Sequence, residues 1–248
     1  MSGRPAEAAP DATRAVGSLD PEAMTAAQRR TARAIGSRVQ HLWHSPRVAR
    51  QLLPLRDDEG LLRLLRQFSE SVGGALPGMD LCVGEADPCM VVALPPGGHV
   101  RSGGPCPPHR DYEPVGPYHK ERSVSFYMLL HDTAEHHGGT FVYPGSRDLH
   151  CAPRYEETPR SAGRPRKRRR TGGGASAGLH PKSLHRDLRA LCGDPVRFTG
   201  RELTVFRHES AEWHGALPNR SGERRAVLIW SYCTPRLQGK FRRTVEPP

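Results

Sequence analysis

The spacing of apolar positions changes once along this chain. Up to about residue 75 it is helical: Met24, Ile35, Val39 and Leu42 fall on one face, and Leu61, Leu62, Leu64, Leu65 and Phe68 on another. Asp20-Pro21-Glu22 supplies an N-cap, a proline at the first helical position and an acidic first turn, predicting a helix to about Trp43. Ser45-Pro46 predicts a short second helix through Leu53, and a third ends at Gly73-Gly74. From residue 80 short β-rich runs take over: Asp80–Gly84, Cys89–Leu94, Ser123–Leu130, Thr140–Tyr143, Pro195–Phe198, Glu202–Phe206 and Arg225–Cys233. Turn clusters separate them, among them PPGG at 95–98, SGGPCPP at 102–108 and HHGG at 136–139. Helices followed by many short strands predict an α+β, mainly β fold, with helices packed outside a β sandwich or barrel.

Domain limits follow from the same texture. Residues 1–18 are Ala/Pro/Gly-rich without periodicity and are expected to be disordered. A helical region over 19–78 and a β-rich domain over 79–236 come next, with a C-terminal tail at 237–248. The strand train is broken at about 154–179, where RPRKRRR at 164–170 runs into TGGGASAG at 171–178, a solvated basic loop followed by a flexible one.

Charge sharpens this division. Ten basic residues against one acid lie between Arg160 and Arg189, a net of +9 out of +11 for the whole chain. The basic character therefore belongs to one segment and not to the fold. Mean hydropathy is −0.63, low for a wholly globular chain. The six cysteines are scattered with no CxxC pair, which argues for free thiols in a reducing compartment. No apolar h-region opens the chain and no apolar run approaches a membrane span, so an intracellular protein, nuclear or cytoplasmic and not secreted, is expected.

The candidate chemistry lies in His109-Arg110-Asp111, His214-Gly215 far downstream, and an arginine ten residues past that histidine. Two histidines and one carboxylate on one face of a metal leave the opposite positions open, the arrangement of non-haem Fe(II) oxygenases. An HxD pair alone is weak among 13 histidines, and a second copy exists at His185-Arg186-Asp187. Leu184, Leu188 and Leu191 flank that copy at helical spacing, which predicts a helix surface, whereas His109 follows a Gly/Pro-rich loop and precedes a β-rich run. The first copy is therefore taken as the ligand pair. At the start of the last strand, Arg224 shares a face with Ala226, Leu228 and Trp230, and Arg225 with Val227, Ile229 and Ser231. Both faces are apolar, so periodicity does not choose between the two arginines.

Taken together, His109/Asp111, Leu130-His131, Gly138-Gly139-Thr140-Phe141, Phe206, His214-Gly215, Arg224 and Trp230 resemble the prolyl-hydroxylase-like branch of the 2-oxoglutarate/Fe(II) dioxygenases over about residues 80–235. That resemblance implies a double-stranded β-helix (jelly roll), with His109, Asp111 and His214 as iron ligands and catalytic centre. It further implies 2-oxoglutarate and O2, and admits ascorbate as an accompanying reductant. The family offset selects Arg224 for the distal carboxylate of 2-oxoglutarate. A tyrosine that often assists falls on Leu129 here, and Tyr127, two residues away on the same face, is the candidate substitute. Ser125, Tyr127, Leu129 and Thr140 are expected to line the pocket or fill the core.

The implied activity is hydroxylation of a protein or peptide side chain, with proline leading, coupled to decarboxylation of 2-oxoglutarate to succinate. The basic run at 164–170 reads first as a nuclear import signal, and otherwise as a tether for nucleic acid or an acidic partner or as a solvated loop. A nucleic-acid demethylase of the same superfamily would carry two arginines six apart, but Trp230 and Ser231 stand six after Arg224 and Arg225. A non-catalytic jelly roll using its basic loop to hold a partner, and a cupin-like metal enzyme without 2-oxoglutarate, are the remaining alternatives. No membrane partner is expected, and the sequence does not give an oligomeric state.

Overall fold

The computed structural model describes residues 17–43, 50–52, 58–73, 78–82, 89–94, 106–150 and 183–238. Eleven strands and three α-helices longer than two turns appear among them, beside short helical turns. In chain order these are β1 (Gly17–Leu19), α1 (Ala26–Trp43), β2 (Arg50–Leu52), α2 (Glu59–Gly73), β3 (Asp80–Leu81), β4 (Cys89–Leu94), β5 (Cys106–His109), β6 (Ser123–Leu129) and β7 (Gly139–Val142). They continue with α3 (Leu184–Cys192), β8 (Val196–Arg197), β9 (Val205–Glu209), β10 (His214–Leu217) and β11 (Arg225–Cys233).

The strands form two antiparallel sheets. The larger has the order β1-β9-β6-β11-β4-β2, with β3 pairing the far end of β11, and the smaller the order β5-β10-β7-β8. From β4 to β11 the chain passes back and forth between the sheets, which makes the double-stranded β-helix expected from the sequence.

Central strand β6 shows why this sequence closes into two layers. Every residue from Ser123 to Leu129 is buried, as a strand covered on both faces requires. Its Val124, Phe126 and Met128 join Ala226, Leu228 and Trp230 of β11 against the helices, packing on Ile35 and Val39 of α1 and on Leu61, Leu65 and Phe68 of α2. Trp230 stacks on Phe126 at 5.4 Å and donates its indole N–H to Ser69 Oγ at 2.8 Å. Each large side chain buried here contributes about 1.5–3 kcal/mol. The alternate residues Tyr127, Leu129, Val227 and Ile229 turn inward, where they meet Val142 of the smaller sheet, Phe198 just past β8 and Phe206 of β9.

Several sequence expectations shift. Helix α1 starts at Ala26, because Thr25 and Gln28 form a reciprocal cap (2.8 and 3.2 Å) while Asp20 closes a separate turn onto Ala23 and Met24. Residues 17 and 18, expected to be disordered, pair in β1 with Arg207 and Phe206. Residues 50–52, expected to be helical, form β2 on the edge of the larger sheet, and the rest of that expected helix lies outside the described residues apart from them. The run expected at Glu202–Phe206 begins only at Val205, since Leu203 takes a left-handed turn conformation (φ 68°). The second HxD copy does lie on a helix, α3, where Leu188 is buried but Leu191 is 51% exposed. The basic insert lies outside the described residues.

Candidate metal and co-substrate site

β5 carries the sequence Cys-Pro-Pro-His on the edge of the smaller sheet, where prolines cost no ladder hydrogen bond. His109, its last residue, pairs directly with His214, the first residue of β10, and their rings lie 4.4 Å apart. Asp111 follows two residues on, anchored by its backbone N–H to the Ser210 carbonyl at 3.1 Å. Period-two alternation thus brings all three side chains to one side. Asp111 Oδ1 lies 3.5 Å from His214 Nε2 and 4.0 Å from His109 Nε2.

The tautomers of both histidines suit a metal. His214 Nδ1 donates to the Glu212 carbonyl at 2.8 Å and His109 Nδ1 to the Pro107 carbonyl at 3.1 Å, so each ring turns its Nε2 toward the cluster. Burial opposes the charge on Asp111, but His214 and then His109 outweigh it and hold the carboxyl down at about 2. Burial lowers His214, and Asp111 overcomes it to leave the imidazole above its usual value. The carboxylate is densely surrounded yet 39% open to solvent, and His109 is 44% open, so ligands can reach this side of the cluster. Among the described residues these three form the one His/Cys/Asp/Glu group whose ligand atoms all lie within 4.8 Å of one another.

Of the two arginines at the start of β11, the structure buries Arg225, not the expected Arg224. Ala226, Leu228 and Trp230 pack against the helices; strand alternation puts Arg224, which precedes the strand and is half-buried, on their side. Arg225 shares the inward face with Val227 and Ile229 and is 3% exposed. The turn between β10 and β11 sets this phase: Asn219 donates to the Glu223 carbonyl at 2.7 Å and accepts from Ser221 N–H and Oγ–H at 3.0 and 2.6 Å. Burial lowers Arg225 to about 10, with Tyr127 acting weakly in the opposite sense. Among the described residues no carboxylate pairs with Arg225, and its Nε has no hydrogen-bond partner. Gly139 makes room for it, since a Cβ there would stand 3.2 Å from Arg225 Nη1.

Tyr127 and Leu129 both face the interior, as expected, Tyr127 beside Phe198 (5.1 Å) and within electrostatic reach of Arg225. Thr140 is buried on β7, and Ser125 is tied to Ser210 and Ser231 at 2.8 and 2.7 Å.

Two features escaped the sequence reading. Arg110, between the two ligand positions of HxD, must point the other way, and so must Trp213 beside His214. Since His109 pairs with His214, the two meet: the Arg110 guanidinium, 1% exposed, lies 4.8 Å over the Trp213 ring and holds the Ser146 carbonyl at 3.0 Å and the Leu149 carbonyl. Trp213 donates to the same Leu149 carbonyl at 2.8 Å. The other is His208 on β9, fully buried with its ring 4.8 Å from that of His214. Burial and then His214 press it down to about 3, so it is neutral. The signal for it was a polar residue on the inward face of a strand, two positions after Phe206.

A double-stranded β-helix with a His-x-Asp…His cluster beside its smaller sheet is the arrangement expected of an Fe(II)- and 2-oxoglutarate-dependent oxygenase. Residues 11–227 match the phytanoyl-CoA dioxygenase (PhyH) family, and the chain belongs to that family. It is a 2-oxoglutarate-dependent dioxygenase that uses Fe(II) and 2-oxoglutarate. The fold is similar to EctD from S. alaskensis solved with 2-oxoglutarate and 5-hydroxyectoine (TM-score 0.56, 16% identity, 89% of this chain and 72% of that one). It is likewise similar to the epimerase SnoN in complex with Fe3+, α-ketoglutarate and nogalamycin RO (TM-score 0.51, 14% identity, 89% and 79%). EvdO2 from Micromonospora carbonacea var. aurantiaca is a third (TM-score 0.51, 15% identity, 89% and 86%). No curated protein matches the chain in sequence. The superfamily resemblance therefore holds, while nothing in these likenesses supports a prolyl-hydroxylase-like branch, a proline substrate, or a protein or nucleic-acid partner. No helix among the described residues is long and apolar enough to cross a membrane.

Proposed function

We propose that this enzyme oxidises a small molecule, coupling its hydroxylation to decarboxylation of 2-oxoglutarate, with His109, Asp111 and His214 holding iron and Arg225 holding the distal carboxylate of the co-substrate. The observation that carries this reading is a three-ligand cluster open on one side in the same interior as a buried arginine without an anion. A cation removed from water demands a partner, and a planar guanidinium matches a carboxylate through two parallel hydrogen bonds.

Iron held by His109, Asp111 and His214 would supply the activation of dioxygen. The rest falls to the chain's own residues. The carbonyls of Pro107 and Glu212 hold both imidazoles in the tautomer that offers Nε2. Asp111 stays ionised throughout the physiological range. Arg225 orients the co-substrate from the far side, with Tyr127 beside it, and the apolar walls from Leu129, Val142, Phe198 and Phe206 exclude water around it. The substrate class rests on the similar folds, whose structures were solved with 5-hydroxyectoine and with nogalamycin RO, both small molecules.

Anaerobic titration of the protein with Fe(II) and then 2-oxoglutarate tests the reading. A weak visible metal-to-ligand charge-transfer band is expected in the wild type and absent in His109→Ala. Bound metal without a band would overturn the 2-oxoglutarate assignment.

A further inference from the structure

His208 has no role in the metal and co-substrate site as drawn, yet it adjoins it. Its side chain is fully buried, with the ring 4.8 Å from His214, 5.3 Å from Tyr127 and 6.0 Å from Phe198. Nδ1 donates to the Glu209 carbonyl at 2.9 Å, which places the proton there and a lone pair on Nε2. That Nε2 is sealed from solvent and meets no hydrogen-bond donor among the described residues. A buried acceptor left unmet in this way is rare and calls for a missing partner.

The chemistry of the site narrows that partner. His208 does not belong to the three-residue ligand cluster, so it is not read as a fourth ligand. Ionised 2-oxoglutarate and dioxygen carry no N–H or O–H. The anchor proposed for the co-substrate's far carboxylate starts from another level of the sheet: His208 pairs with Ser125 and that with Ser231, six residues or roughly 20 Å of backbone along β11 from Arg225, with Tyr127 between the two levels. Bulk water is excluded by the burial. We propose that His208 Nε2 is the acceptor that orients the substrate, and that the substrate is a small molecule presenting a hydroxyl or N–H there while its apolar skeleton packs on Tyr127 and Phe198. This rests on the iron and 2-oxoglutarate reading of the neighbouring residues.

The test uses the full chain labelled with 15N-histidine, loaded with Zn(II) as a redox-inactive metal and with 2-oxoglutarate. Probes are methanol, isopropanol and cyclohexanol, set against acetonitrile and cyclohexyl methyl ether, which lack a donor. The His208 Nε2 resonance, assigned by its loss in His208→Gln, is expected to stay at the position of a free, unprotonated nitrogen after metal and 2-oxoglutarate. It should then move upfield with the alcohols and not with their counterparts. His208→Phe keeps an aromatic ring but no acceptor, and should weaken cyclohexanol binding by about tenfold while leaving the ether unaffected. A shift on metal and 2-oxoglutarate alone would assign the acceptor to a metal-bound water and overturn the proposal. So would equal responses to alcohols and counterparts, or no response to any alcohol. The His109 and His214 resonances report separately: if Zn(II) leaves them unmoved, it is the metal site itself that fails.

Discussion

Replacing Arg225 by methionine should have opposite effects on the free and the liganded protein. The guanidinium is 3% exposed and, among the described residues, lacks a carboxylate partner. In the free protein it is a desolvated cation, and exchanging it for an apolar side chain of similar length should stabilise the fold by about 1–4 kcal/mol. For a chain of this size that is a rise in Tm of roughly 3–10 °C. With 2-oxoglutarate present the sign reverses, because the lost partner of a buried carboxylate costs about 3–5 kcal/mol, or roughly 150- to 4,000-fold in Kd. Thermal unfolding under anaerobic Fe(II), with and without 2-oxoglutarate, reads both effects: saturating co-substrate should raise the wild-type Tm and leave Arg225→Met nearly unchanged. Arg224→Met, altering a half-buried residue on the opposite side of the strand, should behave as wild type in the 2-oxoglutarate response. An Arg225→Met protein that is less stable when free and still stabilised by 2-oxoglutarate would refute the reasoning, and loss of the response in Arg224→Met would return the role to that residue.

Asp111→Asn should weaken divalent metal binding by more than about 100-fold in calorimetry, since the amide removes the one anionic ligand. Gly139→Ala puts a Cβ 3.2 Å from Arg225 Nη1 at a φ of 148°, so 2-oxoglutarate affinity should fall about tenfold and stability by about 1–2 kcal/mol. Glu209 bridges Arg122 and Arg147, each at 2.6 Å; burial opposes its charge, but Arg122 and Arg147 hold its pKa below the usual 4.5. Its contribution is therefore present above pH 4.5 and lost as pH falls through the lowered folded value. Glu209→Gln should cost about 1–2 kcal/mol at pH 7 in denaturant unfolding, with the gap to wild type closing in acid, and a gap independent of pH would reject the ion-pair origin.

The parts of this architecture that were legible in the sequence are those fixed by local chemistry. Strand β11 and the centre of β6 stood out because unbroken apolar runs of that length suit a sheet covered on both faces. The candidate ligands stood out because HxD fixes two side chains on one face and a His-Gly ahead of a strand fixes the third. What failed depended on phase across a turn or on partners distant in sequence. The Asn219 turn decides whether Arg224 or Arg225 enters the interior, and both faces of β11 are apolar because both are buried. Residues 17–19 and 50–52 are strands because neighbouring edges accept them, a condition invisible in their composition. Cys-Pro-Pro-His reads as a loop until its edge position removes the penalty on proline. Asp20-Pro21-Glu22 carries strong start signals, yet Thr25 and Gln28 form the cap.

On this reading the chain consumes 2-oxoglutarate and dioxygen at one iron held by His109, Asp111 and His214. Incubating the Fe(II)-loaded protein with 2-oxoglutarate under 18O2 and weighing the succinate by mass spectrometry tests it most directly. Succinate carrying a single 18O, formed by wild type and absent in His214→Ala, is the expected result. No succinate from a protein that retains its iron, or unlabelled succinate, would contradict it.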